Sequence, residues 1–180
     1  MSGRDVLRGQ APDVALPAVV LAAGAATRFG SPKQRLLLPR VLARLAEAPV
    51  GDVVVVAGAY PLELDGARVI ACPDWELGPG ASLRCGLAAL PAGAEAAVVV
   101  LADGPDLAPA AVGRVVDAWR ESGAPLVAAA YGGERGHPLV VARGLWASVP
   151  DEGLRAFEPQ LVPCDDLGPP GDVDRPEDLL

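Results

Sequence analysis

Three features of the sequence predict a three-layer α/β domain with a mainly parallel sheet. Short β-branched runs alternate with longer helical stretches along the chain. The Val53–Val56 and Val98–Leu101 runs are continuously apolar, as strands covered on both faces are. The 21 Gly and 19 Pro have no three-residue period and supply turns between short elements, which excludes a collagen-like chain.

Strands are expected at Leu16–Ala22, Asp52–Ala57, Ala67–Ala71, Ala96–Ala102 and Pro125–Ala130, with Pro138–Ala142 and Gln160–Cys164 as two further strands. Helices are expected at Pro39–Ala48, Ala81–Leu90, Pro109–Ser122 and Arg143–Val149. The third is the best marked. Val112, Val115, Val116 and Trp119 share one face, Pro109 suits a first turn, and Gly123 follows as a C-terminal cap. No linker, repeat or charge block divides the chain, so one domain over 16–180 follows a loose extension at 1–15. The apolar run 14–26 behind Arg4 and Arg8 has the look of a secretory core. Asp5 and Asp13 dilute its basic flank, and it is shorter than the ~20 residues of a membrane span. A buried strand entering a Gly/Ala loop is the reading adopted.

The net charge of -8 leaves no basic stripe for nucleic acid, and no segment calls for a membrane. Cys72, Cys85 and Cys164 are odd in number and widely spaced, and with His137 as the single histidine they make no zinc site. They are expected as reduced, mostly buried thiols of a cytoplasmic protein.

In parallel α/β sheets, ligands sit beyond the carboxyl ends of the strands. The loop 24–33 after the first strand combines small residues with Arg28 and Lys33, the chain's single lysine. Backbone N–H groups and two cations compose a polyphosphate cradle, although an ordinary Gly-rich turn would read the same way. The spacing is neither a Walker A loop nor a dinucleotide fingerprint. Pro32 biases Ser31 to an extended form, so Lys33 is expected to project from a loop without opening a helix at once. Asp103, at a strand end before Gly104-Pro105, is placed to hold Mg²⁺ or to be a solvated turn carboxylate. Asp172 and Asp174 offer a second carboxylate, while Pro176-Glu-Asp178 reads as the start of a terminal helix. Ser82 reads as a helix N-cap. His137, before a strand, reads as packing or hydrogen bonding, and no G-x-S-x-G elbow supports hydrolase chemistry.

Six segments, in order, resemble one family. Leu21-Ala-Ala-Gly-Ala-Ala-Thr-Arg-Phe-Gly-Ser-Pro-Lys-Gln34 resembles the L-A-[AG]-G-x-x-x-R-x-G-x-x-K signature of MobA-like nucleotidyltransferases. Pro73-Asp-Trp-Glu-Leu-Gly78 with Ala81-Ser-Leu-Arg-Cys-Gly-Leu87, Leu101-Ala-Asp-Gly-Pro105, Gly136-His-Pro138, Asp151-Glu-Gly-Leu-Arg155 and Asp172-Val-Asp-Arg-Pro-Glu-Asp178 resemble the segments that follow it. The branch most similar is the molybdenum cofactor cytidylyltransferases.

The resemblance implies a Rossmann-like α/β/α fold of the nucleotide-diphosphosugar-transferase type that binds an NTP and Mg²⁺. By position it implies that Leu21, Ala22, Ala23 and Gly24 contact base and ribose, and that Arg28 and Lys33 hold the triphosphate. Asp103 with Asp174 would ligate Mg²⁺, Ser82 would line the nucleotide pocket, and His137 would face the acceptor. Arg28, Lys33 and Asp103 are the residues it makes catalytic. The Ala22-Ala23-Gly24 triplet implies CTP over GTP, and the branch implies a phosphorylated, molybdopterin-type acceptor and a molybdoenzyme-maturation partner. The chain departs from the family after Leu38, where Pro39-Arg40-Val41 replaces a longer G-x-P-L loop, and at Gly104 and Arg175. Two other functions are weighed: a non-catalytic nucleotide-binding or cofactor-delivery protein, suggested by the short segment, and a nicotinamide-dependent reductase, which lacks its fingerprint.

Overall fold

The computed structural model describes residues 14–24, 33–173 and 176–179. Seven strands form one sheet: β1 (Leu16–Ala22), β2 (Val50–Ala57), β3 (Arg68–Ala71), β4 (Ala96–Leu101), β5 (Leu126–Tyr131), β6 (Glu134–Ala142) and β7 (Gln160–Pro163), in the order β3-β2-β1-β4-β6-β5-β7. β6 pairs antiparallel with β4 and β5, and the pairings of β1 with β2 and β4, of β2 with β3, and of β5 with β7 are parallel. Four helical segments complete the layers: α1 (Gln34–Ala46), α2 (Pro79–Ala88), α3 (Pro109–Ser122) and the single turn α4 (Arg143–Trp146).

The two-residue period of each strand divides the core into two sheets of side chains. Ala18, Val20, Val55, Val98 and Val100 meet Leu38, Val41 and Leu45 of α1 and Val112, Val115 and Val116 of α3. Val19, Val54, Val56 and Val99 meet Leu83 and Leu87 of α2 on the other face, with Leu145 and Trp146 of α4 packed against that cluster. At Gly86 a Cβ would lie 2.5 Å from Val19 Cγ1 and 2.9 Å from Val56 Cγ2, so only glycine lets α2 sit this low on the sheet. The run 14–26 does enter as a buried strand over Leu16–Ala22, and among the described residues no helix is long and apolar enough to cross a membrane. Residues 1–13 of the expected extension lie outside the described residues.

α3 has the expected limits, with Gly123 left-handed (φ 65°) and its N–H donating to Trp119 O at 2.8 Å. Four expectations need correction. The first helix starts at Gln34, five residues before Pro39, which lies inside it. Pro39 lies past the first turn, so it forfeits the bond to Arg35 O and its ring crowds that carbonyl. Burial of Leu38 and Val41 against the sheet and of Leu37 against Val173 holds the turn in spite of this. Ser82 is no cap: α2 begins at Pro79, leaving Ser82 buried in its first turn. The strand expected from Pro138 begins at Glu134. Gly132 and Gly133, with φ of 60° and 79°, form a two-residue turn that folds β6 back on β5. His137 therefore lies within the sheet and not ahead of it. Finally, Cys72 and Cys85 are joined in a disulfide with Cα atoms 5.8 Å apart, and only Cys164 is a free, buried thiol. The chain turns back from the end of β3 through a 3-10 turn at Trp75–Leu77 into α2, a reversal that sequence spacing does not reveal.

Candidate active site

The chain leaves β1 toward β2 on one side, while β4 lies on the other, so the sheet has its switch point between β1 and β4. Leu21 stands opposite Leu101 in parallel register, which brings the Ala22–Gly24 and Ala102–Asp103 exits side by side. Backbone bonds fix this edge. Leu21 O accepts from Ala102 N at 3.0 Å, and Ala23 O accepts from Ala59 N, just beyond β2, at 3.1 Å. Gly24 O accepts from the side-chain Nε2 of Gln34 at 2.8 Å. Trp75 packs against Ala23 from the α2 side: a Cβ at Gly58 would strike Trp75 at 2.7 Å and Ala23 at 2.8 Å.

Lys33 ends up in an unexpected place. It is the N-cap residue of α1, its carbonyl accepting from Leu36 and Leu37, and the helix opens at once behind it. The side chain is 9% exposed, with Nζ donating to Val173 O at 2.6 Å and Asp103 Oδ2 at 3.3 Å. Val173 N–H in turn donates to Asp103 O at 3.1 Å, and Asp106 N–H to Pro170 O at 2.9 Å. Lys33 thus ties three chain segments together: the start of α1, the end of β4 and a strap at residues 168–173. Gly104 permits the strap's approach, since a Cβ there would lie 3.1 Å from that of Pro170.

Beside Asp103 opens a cavity of about 390 Å³ whose wall includes Gly104, Tyr131, Arg135, His137 and Asp172. The Tyr131 hydroxyl donates to His137 O at 3.0 Å. Burial pushes the Tyr131 phenol up to about 12, with a smaller push from Cys164. Burial, with the Arg135 guanidinium behind it, lowers His137 to about 4, so its imidazole is neutral at pH 7. Arg135 spends Nη1 on the carbonyls of Leu154 (3.0 Å) and Phe157 (3.1 Å).

Among the sequence-predicted residues, the structure brings Leu21, Ala22, Ala23, Gly24, Lys33 and Asp103 to one edge, and places His137 on the cavity wall next to Asp103. Ser82 sits on α2, which packs on the opposite face from α1. Arg28 and Asp174 lie outside the described residues. Sequence reasoning assigned no role to Gln34, Trp75 or Val173. Gln34 could have been suspected as a polar residue preceding an apolar helical face.

For Mg²⁺, the residues present fit. Asp103 and Asp172 put two carboxylates on one cavity wall, while no cluster of three or more His, Cys, Asp or Glu stands ready among the described residues. Mg²⁺ commonly takes one or two carboxylates and completes its shell with water and substrate phosphates.

A switch-point site with small-residue backbone, a lysine and a strand-end carboxylate defines a nucleotide-handling α/β protein. The chain belongs to the MobA-like NTP transferase domain family, whose model matches residues 18–158. It is thus a nucleotidyltransferase by family. No curated protein matches it. Among solved structures it is similar to Rv0371c of Mycobacterium tuberculosis H37Rv, with 27% identity and a TM-score of 0.79 over 92% of this chain and 96% of that one. It is also similar to a manganese complex of the same Mycobacterium protein, at 24% identity and a TM-score of 0.74 over 92% and 96% of the two chains. The fold is shared with molybdopterin-guanine dinucleotide biosynthesis protein A of Archaeoglobus fulgidus, at 14% identity and a TM-score of 0.64 over 91% and 95%.

Proposed function

We propose that the protein transfers a nucleoside monophosphate, CMP in preference to GMP, from an NTP to a phosphorylated acceptor, with Mg²⁺ as cofactor. An acceptor phosphate oxygen attacks the α-phosphorus in line, a new P–O bond forms, the bond to the β-phosphate bridge breaks, and pyrophosphate leaves. Such a displacement needs positioning and charge neutralisation more than a protein nucleophile. The observation that carries the reading is the pairing of the Gly24 and Asp103 exits at the switch point with Lys33 between α1 and β4.

Each group then has a task. Backbone at Leu21–Gly24 holds the nucleoside, with Ser82 on the α2 side of that pocket, and Arg28 and Lys33 bring positive charge to the phosphates. Lys33 also steadies Asp103, which with Asp174 and Asp172 supplies oxygen ligands for a metal. Bound Mg²⁺ would offset negative charge on the phosphates. The cavity beside His137 faces the acceptor, a molybdopterin-type phosphate by likeness to the cytidylyltransferase branch, which would also imply a molybdoenzyme-maturation partner. The reaction belongs in the cytoplasm, where NTPs are found. The short connection after Lys33 favours a second reading, a nucleotide-binding delivery protein without turnover: α1 opens directly at Gln34 and runs through Pro39–Val41 with no loop inserted there.

Pyrophosphate release with CTP, GTP or ATP, Mg²⁺ and a molybdopterin-type acceptor tests both. Release fastest with CTP is expected. Stabilisation of the fold by CTP without pyrophosphate from any NTP would instead establish the delivery reading.

A further inference from the structure

Gln34 is buried at a place where helices usually show polar side chains to water. It occupies the first position of α1 yet is only 5% exposed. Its Nε2 reaches Gly24 O, while its Oε1 is buried without a hydrogen-bond partner among the described residues. A buried, unpaired amide oxygen is costly, and a methionine of similar shape would remove it. Filling space does not account for an amide here.

The nucleotide loop shows what the amide does. Of its carbonyls, Leu21 O and Ala23 O are held by backbone N–H groups of the neighbouring strand exits, whereas Gly24 O is held by a side chain. Gly24 is exposed, and a Cβ built on it meets none of the described residues within 4 Å. No packing among the described residues restrains this glycine, whose backbone is otherwise the most permissive of any residue. The Gln34 amide takes over that task at the open end of the loop.

We infer that Gln34 is a positioning residue: by holding the Gly24 carbonyl it sets the orientation in which the loop backbone meets the nucleoside part of the NTP. The inference rests on the nucleotide-binding reading above and adds to it a residue that acts through Gly24.

The test measures binding of Mg²⁺–CTP and of inorganic tripolyphosphate to the wild type and to Gln34→Met and Gln34→Glu, by calorimetry. Gln34→Met should weaken CTP about tenfold, the worth of one ordinary hydrogen bond, and leave tripolyphosphate within about twofold. Its melting temperature without ligand should stay level or rise, because the orphaned oxygen is gone. Gln34→Glu places a carboxylate against the Gly24 carbonyl and should bind CTP poorly near neutral pH. Toward about pH 5 its affinity relative to wild type should recover, as a protonated carboxyl can donate to Gly24 O in place of Nε2. A purely structural role would give neither the nucleoside-specific loss nor the pH recovery.

CTP affinity equal to wild type in Gln34→Met, equal losses for CTP and tripolyphosphate, or no recovery in Gln34→Glu would each overturn the inference while leaving the nucleotide site standing. A wild type that binds no nucleotide would overturn both. Should Gln34→Met fail to fold, the pH series of Gln34→Glu decides alone.

Discussion

The two halves of the sheet are built on different principles. From β3 through β2 and β1 to β4 every pairing is parallel, and the groups of interest leave consecutive strand ends. Beyond β4, β6 runs the other way, and a tight hairpin and the strap that ends at Val173 close the cavity against the β4 exit at Asp103 and Gly104. Backbone bonds pin the first half, at Leu21, Ala23 and Ala102. The second half is shaped by turns, with positive φ at Gly132, Gly133 and Gly171, and by side chains such as Tyr131 and His137. A part of a ligand common to many substrates suits the first kind of construction, since backbone groups vary little with sequence. A variable part suits the second, where hairpin and strap can change without disturbing the parallel core.

The largest expected effect breaks the comparison on the parallel side. The Cys72–Cys85 disulfide ties the end of β3 to α2 and closes a loop that contains Trp75, which packs on Ala23. Loop-closure entropy for such a ring is about 3 kcal/mol. Reduction should lower the melting temperature and raise amide exchange in residues 72–88 while leaving residues 126–163 unchanged. Thiol titration of the unfolded chain should find Cys164 alone before reduction and all three cysteines after it. Three thiols without reductant would show that the two halves are not distinguished by this tie.

A smaller effect should appear where the halves meet. Asp103→Asn keeps an oxygen that can accept from Lys33, which is 9% exposed, but removes the negative charge that strengthens the bond. A destabilisation of about 1.5 kcal/mol is expected, toward the low end of the roughly 1.5–3 kcal/mol that bonds to charged groups contribute. Repulsion between Asp103 and Asp172, which share one cavity wall, would predict the opposite sign. The pairing with Lys33 decides the direction. Chemical denaturation of the wild type, Asp103→Asn and Lys33→Ala measures it, and the double variant should cost less than the sum. Additive losses would mean that the contact is not a working pair.

Legibility in the sequence followed the same division. The parallel half could be read because its strands are short, continuous Val runs and its site groups fall directly behind them. The α3 helix could be read from its apolar face and its Pro109 and Gly123 ends. What escaped depends on contacts distant in sequence: Lys33 with Asp103 and Val173, Gln34 with Gly24, and Cys72 with Cys85. Pro39 hid the true start of α1 because proline is usual at the first helical position and costly further in, so the sequence points to a helix that begins there. The first part of β6 carried only a weak signal: the Gly132-Gly133 pair suits a two-residue hairpin, but the polar Glu134-Arg135-Gly136-His137 that follows does not read as a strand. Arg28 and Asp174 fall outside the described residues.

The smallest expected effect probes the mixed half through its single histidine. His137 sits half-buried on the cavity wall, and its folded value, lowered to about 4 by burial and by Arg135, lies below the 6.5 of a free imidazole. On acidification the unfolded chain therefore takes up this proton first. The stabilising contribution of the neutral ring is whole above about pH 6.5 and is lost as pH falls toward 4. Allowing for its partial exposure, the loss should be about 1–2 kcal/mol. Denaturation curves of the wild type and of His137→Gln at several pH values isolate it, because carboxylate titrations shared by both proteins cancel in the difference. The imidazole C–H signal in proton NMR belongs to one residue only, so its midpoint can be assigned without a variant. A midpoint near 4 means that the cavity wall is dry in the free protein, and an acceptor entering it meets a neutral ring. A midpoint near 6.5 would mean that water reaches the ring as freely as it reaches a surface loop. His137 would then carry charge below neutral pH, and the contrast between a pinned parallel half and a closed mixed half would have to be given up.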